Sequence, residues 1–210
     1  MTALTLVRHG QSRWNVEGRI QGQTDVPLSA LGEQQAEAVG ARLAGTRVDA
    51  VYASPLRRAF DTAGAIARHH RVDVRIVAAL TEIHHGEWQG LTEAEIAEAD
   101  GDRLRLWNLL PGRVQMPGGE RLFDVRQRAL QAAREIVAAH AHGAVVVVTH
   151  DVVVRVIVAE ILGLDYDHLA RLVVNNTGLT VIEYDGGAGR ILTLNDTAHL
   201  THLRDGQTVE

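Results

Sequence analysis

Short apolar runs alternate along the chain with longer stretches in which apolar residues recur every three or four positions. Leu4–Val7 is a continuous apolar or β-branched run bounded by polar residues, which predicts a short buried strand. Val48–Ala53 predicts a second strand, Val72–Val77 alternates as an edge strand does, and Ala144–Thr149 predicts a fully buried one. Ser29 is placed to cap a helix that carries Ala36, Val39, Ala41 and Leu43 and ends near Gly45. Ser54-Pro55 reads as an N-cap and first-turn pair opening a helix through Ala67. Glu120–Ala141 has the period of a long amphipathic helix with Val125, Ala129, Ala132, Ala133, Ile136 and Val137 inward, and another helix runs from Asp151 to Leu162. Leu91–Leu110 contains short helical patches, and Pro111–Gly119 reads as a Pro/Gly-rich surface loop. Thr180–Tyr184 and Arg190–Asn195, separated by Asp185-Gly186-Gly187, read as a closing hairpin.

Strands alternating with helices imply an α/β fold whose largely parallel sheet is covered on both faces. There is no internal repeat or convincing linker, so one domain is expected over residues 1–210, with residues 83–120 as a helical excursion over one edge. In such sheets ligands bind beyond the carboxyl ends of the strands. Two strands end in histidine: Leu4–Val7 runs into Arg8-His9, and Ala144–Thr149 runs into His150. A single strand-end histidine is usually a polar residue meeting solvent. Two of them on parallel central strands would share one sheet edge, which points to a site.

Composition narrows the chemistry. With 210 residues, 46% hydrophobic and 22% charged, the chain can bury a sizeable core. No apolar stretch approaches a membrane span, and the N-terminus has no signal-peptide core, so the cytoplasm is the expected compartment. A net charge of −5 argues against a nucleic-acid partner. The absence of cysteine excludes disulfides, thiolate nucleophiles and Cys-ligated zinc. There is also no lysine: all 21 basic residues are arginine, which excludes a phosphate-loop or Schiff-base lysine. It also argues against aspartyl-phosphate phosphatases that use a lysine, and Asp165–Asp167 follows a helix-like segment and reads as a loop.

Arg8 and Arg58 belong to the same carboxyl edge, and a guanidinium grips phosphate or carboxylate bidentately. Two arginines beside two histidines make a site for a dianion. Arg57 is equally close in sequence, and physical reasoning barely separates it from Arg58, although a solvated helix face suits Arg57. Glu82 and Glu87 stand level as candidate general acids, since a carboxyl group near an anion is tolerated best when it carries a proton. His84-His85 invites a metal reading, but adjacent residues point apart on a strand, and no cluster has ligand spacing. His140, His142, His199 and His202 fit surface or packing roles.

The segments LVRHGQSRWN, RIQGQTDVPLSALG, SPLRRAFDTA, EIHHGEWQG, GGER and VVVVTHDVVVR together resemble the histidine phosphatase superfamily, the phosphoglycerate-mutase-like proteins. The resemblance spans nearly the whole chain, in order. It implies a three-layer sandwich and an enzyme that hydrolyses phosphate monoesters without metal or cofactor. It assigns His9 as the nucleophile phosphorylated on Nε2, Arg8, Arg58 and His150 as phosphate-holding residues, and Asn15, Gln21 and Gly22 as the loop around the phosphoryl group. Glu82 then becomes the proton donor, and His85 lines the substrate side. The tail LNDTAHL resembles small-molecule phosphatases, including the metal-independent phosphoserine type, which would put His199 near substrate.

The resemblance implies a double displacement in which Glu82 protonates the leaving alkoxide and then activates water. Many members carry glycine after the second histidine, where this chain has Asp151. A carboxylate there weakens dianion binding unless it turns away to cap the following helix, which is the expectation. The longer insertion and tyrosine-rich stretch of glycolytic mutases are missing between Glu82 and His150, and GEWQGLTEAEI is closer to phosphatase branches. A phosphomonoesterase of small phosphorylated metabolites is therefore expected. A phosphoglycerate mutase and a catalytically silent phosphate-binding regulatory protein are the alternatives. The hairpin edge near the C-terminus leaves room for a homodimer.

Overall fold

A computed structural model of the protein describes residues 1–204. Six strands form one sheet in the order β3-β2-β4-β1-β5-β6, with β1 Thr2–Arg8, β2 Ala50–Ala53, β3 Val74–Ile76, β4 Ala144–Thr149, β5 Leu179–Asp185 and β6 Ala188–Asp196. The first four are mutually parallel, and the β5–β6 hairpin joins β1 antiparallel, so the sheet is mostly parallel with one antiparallel edge. Among the described residues no helix is long and apolar enough to cross a membrane.

Strand alternation sorts the core into two layers. Leu4, Leu6, Tyr52, Val145 and Val147 face one way and join a cluster with α5 (Leu122–Ala139) and α6 (Asp151–Leu162). Val7, Val51, Ala53, Val146 and Val148 face the other way and pack on α2 (Ala30–Leu43) and α3 (Arg57–Ala67). Both faces of the valine run in β4 are covered, which is why that segment is apolar throughout rather than alternating. Complete burial of each such side chain contributes about 1.5–3 kcal/mol.

Several local expectations change. Ser54 does not cap α3: the N-cap position is Leu56, and the Arg57 N–H is taken instead by Asp25 Oδ1 at 2.7 Å. Pro111–Gly119 is not wholly a surface loop, because Val114 and Met116 point into the main core. Glu120 stays outside α5, since its carboxylate is bonded to Arg128 and to the His84 N–H. Asp151 is the first residue of α6 rather than its cap, and its carboxylate pairs one turn on with Arg155 at 3.0 Å. The helical patches of 91–110 form α4 (Glu93–Leu109), interrupted at Asp100, where φ is −148° and the side chain accepts from Trp88 Nε1 and Arg103. A short α1 (Arg13–Glu17) was not anticipated; Ser12 and Asn15 close a capping box at its start.

Helix α2 approaches the β1–α1 loop backbone to backbone at Gly32, where a Cβ would lie 1.9 Å from the Gln11 carbonyl oxygen, and Gln35 of α2 accepts from the Gln11 N–H at 2.8 Å. Gly64, inside α3, has nothing within 4 Å of the same position. Gly32→Ala should therefore cost about 1–3 kcal/mol through overpacking. Gly64→Ala should be neutral or stabilising by up to about 1 kcal/mol through helix propensity. Urea unfolding of the two variants measures the contrast, and equal midpoints would contradict it.

Candidate active site

Parallel pairing of β1 with β4 puts Arg8 opposite Thr149, so the chain leaves both strands at the same level. His9 N–H donates to Thr149 O at 2.9 Å, and Ser54 N–H donates to Val148 O at 3.0 Å. Three strand ends therefore deliver His9, His150 and Ser54 to one spot. The His9 and His150 rings stand 5.1 Å apart, tilted by 60°. Both histidines are buried, and His150 Nε2 is 2.8 Å from Ser54 Oγ. The same hydroxyl oxygen accepts from the Leu56 N–H at 3.3 Å, so Ser54 links His150 to the N-cap residue of α3 without capping the helix itself.

The proton on His9 can be located from its neighbours. Nδ1 lies 2.7 Å from the Gly10 carbonyl oxygen, which can only accept, so Nδ1 carries the hydrogen. Nε2 then holds the lone pair, and Arg58 Nε donates to it at 3.2 Å. Burial, followed by the charges of Arg58 and Arg8, holds the His9 pKa well below its ordinary value. The ring is neutral at physiological pH with its lone pair turned toward an arginine. His150 is held neutral in the same way, by burial first and Arg58 second.

Arg58 is completely buried, with Nη1 donating to Thr24 O and Nη2 to Gly22 O, each at 2.8 Å. Burial lowers its pKa to about 10, which leaves it charged at neutral pH. Gly22 supplies that acceptor from a left-handed conformation (φ +52°), where a Cβ would come within 2.2 Å of Gln89 Oε1. Arg8 Nη1 donates to Val174 O at 2.6 Å, while its buried Nε makes no hydrogen bond. His85 Nδ1 and His150 Nδ1 are likewise buried without a partner. Of these residues Arg8 and His85 stand on one cavity wall, and the free guanidinium N–H of Arg8 is a donor that an anion there would satisfy.

That cavity, about 210 Å³, is walled by Arg8, His9, Asn15, Arg19, Gln21, Gly22, Arg58, Glu82, His85, Trp107 and Asp151 among others. Asn15 Oδ1 and Gln21 Oε1 both accept from Ser12, which ties the loop to the start of α1. Glu82 is buried, with Oε1 accepting from the Ile83 N–H at 2.9 Å. Its pKa is raised by burial and then by the neighbouring Asp151 carboxylate, against the opposing pull of Ile83 N–H, Arg58 and Arg8. Burial brings His85 down to about 4, and its ring meets Trp107 edge-on at 5.8 Å.

Eight of the candidate residues thus share one cavity, and His150 sits directly behind His9. His199 does not join them. Its Nε2 lies 3.1 Å from Thr177 Oγ1, and the Thr177 N–H donates to the Arg8 carbonyl, so His199 stands behind the strand end. Arg57 is on the exposed face of α3, paired with Asp61, and Glu87 is not among the wall residues. Among the described residues no group of three or more His, Asp and Glu side chains could hold a metal ion.

Sequence reasoning missed the strut behind Glu82. Arg128 donates to the carbonyls of Ala79, Thr81 and Glu82 and forms a two-pronged pair with Glu120, whose Oε2 also takes the His84 N–H. Gln23 Nε2 adds a bond to the Glu82 carbonyl at 3.0 Å. Nothing local marks Arg128, which reads as one more polar residue on an amphipathic helix. Arg19 and Trp107, both on the cavity wall, also went unremarked.

The histidine phosphatase superfamily (branch 1) family model matches residues 4–197. Phosphoserine phosphatase 1 of Hydrogenobacter thermophilus is 36% identical over 200 residues, covering 95% of each chain. The chain belongs to the histidine phosphatase superfamily. The metal-independent phosphoserine phosphatase of Arabidopsis thaliana is 39% identical over 98% of this chain and 78% of its own. The solved structure of Bacillus stearothermophilus YhfR superposes with a TM-score of 0.92 at 36% identity, covering 95% of this histidine phosphatase and 100% of that chain. The expected fold and enzyme class are thereby established: this is a phosphatase with a mostly parallel sheet flanked by helices.

The raised pKa of Glu82 has a consequence for stability. A carboxyl group whose folded pKa lies above its unfolded value favours folding fully below the unfolded value, and that contribution is lost as pH rises through the folded one. Glu82→Gln keeps the shape and cannot ionise. Its stability relative to the natural protein should therefore increase as pH climbs from 4 to 8 in parallel denaturant titrations. A pH-independent difference would mean that the carboxyl group is not protonated by its surroundings.

Proposed function

We propose that this histidine phosphatase hydrolyses phosphate monoesters of small metabolites in two steps through a phosphohistidine on His9. The observation that carries the reading is the His9 ring itself: buried, neutral, with its proton fixed on Nδ1 and the Nε2 lone pair at the cavity beside Arg58.

In the first step the Nε2 lone pair attacks phosphorus in line with the ester oxygen. The P–O bond breaks, and its electron pair stays on that oxygen, which takes the proton of Glu82 and leaves as an alcohol. The ring becomes a cation as it is phosphorylated, and the Gly10 carbonyl 2.7 Å from Nδ1 steadies it. Glu82, now a carboxylate, removes a proton from water as the water oxygen attacks phosphorus. The P–N bond then breaks and returns its electrons to Nε2. Arg8 and Arg58 supply the positive field for the equatorial oxygens, already fixed by backbone carbonyls before substrate arrives, so the proposed route uses no metal ion. His150, bonded to Ser54, completes the cradle, and Asn15, Gln21 and Gly22 form its rim.

The identity of curated relatives supports small phosphorylated metabolites as the substrate class, since those relatives are phosphoserine phosphatases. A cavity of about 210 Å³ suits a ligand of that size. His85, with a pKa near 4, would serve the leaving-group side as a neutral ring.

His9→Ala should lower kcat by roughly four orders of magnitude or more. Acid quenching destroys phosphohistidine and base preserves it, so a base-stable phosphoenzyme should be trapped on His9 in the natural protein. Glu82→Gln should slow alkyl phosphates by roughly 10²–10⁴-fold. It should also release a burst from p-nitrophenyl phosphate, whose leaving group needs no proton, and then accumulate phosphoenzyme. Undiminished hydrolysis by His9→Ala would sink the proposal, and interconversion of phosphoglycerates faster than phosphate release would favour a mutase.

A further inference from the structure

A second cavity, about 270 Å³, opens beside the first and shares three of its walls: Trp107, Asp151 and Val152. Its remaining wall includes Arg155 and Leu169. Past Trp107, the alcohol portion of a phosphate held at Arg8 and Arg58 can therefore extend into this second space. The charged groups of that space are Asp151 and Arg155.

Asp151 binds Arg155 through both oxygens, Nε to Oδ1 at 3.1 Å and Nη2 to Oδ2 at 3.0 Å. Arg155 spends a further N–H on the Leu169 carbonyl. A carboxylate has about four lone-pair directions, and Arg155 takes two of them. Arg8 stands 3.7 Å away, close enough to neutralise charge but too far to hydrogen bond. When a phosphate dianion claims Arg8, Asp151 loses that share of its neutralisation and faces a like charge. A leaving-group ammonium lying between phosphate and Asp151 would relieve the repulsion, and the indole of Trp107 adds a wall that favours cations. A hydroxyl in the same place would relieve little of it.

We propose that Asp151, with Trp107, forms a leaving-group subsite that selects phosphate monoesters bearing an ammonium group next to the ester-bearing carbon. This rests on the hydrolysis of monoesters at His9 and names the substrate class of that site. Asp151 is a specificity-determining residue here, not a participant in the transfer of phosphorus.

The test compares isosteric esters differing only in ammonium against hydroxyl: phosphoethanolamine against 2-hydroxyethyl phosphate, and O-phosphoserine against 3-phosphoglycerate. The natural protein should favour the ammonium member of each pair by about tenfold or more in kcat/KM. Asp151→Asn should bring both ratios close to one. Any effect of the substitution on Glu82 or Arg8 acts on both members of a pair and cancels in the ratio. Wild-type ratios at or below one overturn the inference and need no variant, and so do high ratios that survive in Asp151→Asn. If all four esters turn over with equal efficiency, this inference falls while the phosphatase reading stands. If none of them turns over, nor p-nitrophenyl phosphate, both fall together.

Discussion

The hydrogen bond from the His9 N–H to the Thr149 carbonyl sets the level at which two parallel strands end, and the site is built from that level. One register step would carry His9 past His150 and turn alternate side chains of β1 into the wrong layer. The register is held by burial on both faces: Leu4 and Leu6 on one side, Val7 on the other, against a run of five-fold apolar continuity in Ala144–Val148. Packing far from the cavity therefore determines where the lone pair of His9 lies. The Asn176 side-chain amide and the Thr177 N–H then hold the His9 and Arg8 carbonyls from the opposite side, so the strand end is fixed from both directions.

Burial acts on the charged groups with two signs. It disfavours the cationic forms of His9 and His150 and the anionic form of Glu82, leaving a neutral imidazole beside a carboxyl group biased toward its protonated form. The same burial is tolerated by Arg58, whose guanidinium stays charged because carbonyls of Gly22 and Thr24 replace water. One desolvated region thus separates the roles of three residue types by their ordinary pKa values alone. Arg8 is spared complete burial and keeps an unpaired Nε, which makes it the more available of the two guanidinium groups.

The parts of this arrangement that strand logic reaches were legible in the sequence. Two parallel strands ending in histidine required only hydrophobic pattern and topology, and the sheet brings the two rings to 5.1 Å. Arg58 over Arg57 and Glu82 over Glu87 were beyond local reasoning, because each choice depends on which side of a turn faces inward. Family resemblance had to supply both. Ser54 misled for an instructive reason: Ser-Pro before a helix is a good capping signal, yet the hydroxyl was needed by His150, 96 positions away, and Asp25 caps the helix instead. Asp151 misled similarly, since an acid after a strand suits a cap, while Arg155 one turn later and Arg8 across the strand end compete for it. At Ser54 the site adds a distant partner that local capping logic does not foresee, whereas at Asp151 the local Arg155 takes the hydrogen bonds and distant Arg8 contributes charge alone.

The same distant pairing explains why Glu82, although it follows a turn rather than a strand, can be held as firmly as the histidines. No regular element carries it: the 3-10 turn Ala78–Leu80 ends before it and the next begins at Gly86. Its backbone carbonyl is instead clamped by Arg128 from α5 and by Gln23, and its side-chain Oε2 accepts from the Val152 N–H of α6 at 3.4 Å. Arg128 alone would be a costly charge to leave half-buried, and Glu120 neutralises it while holding the His84 N–H. A general acid must keep its distance to the ester oxygen within a few tenths of an ångström. In the proposed mechanism that precision would come from the Arg128–Glu120 pair, so a substitution at Arg128 would reach the chemistry through the position of Glu82.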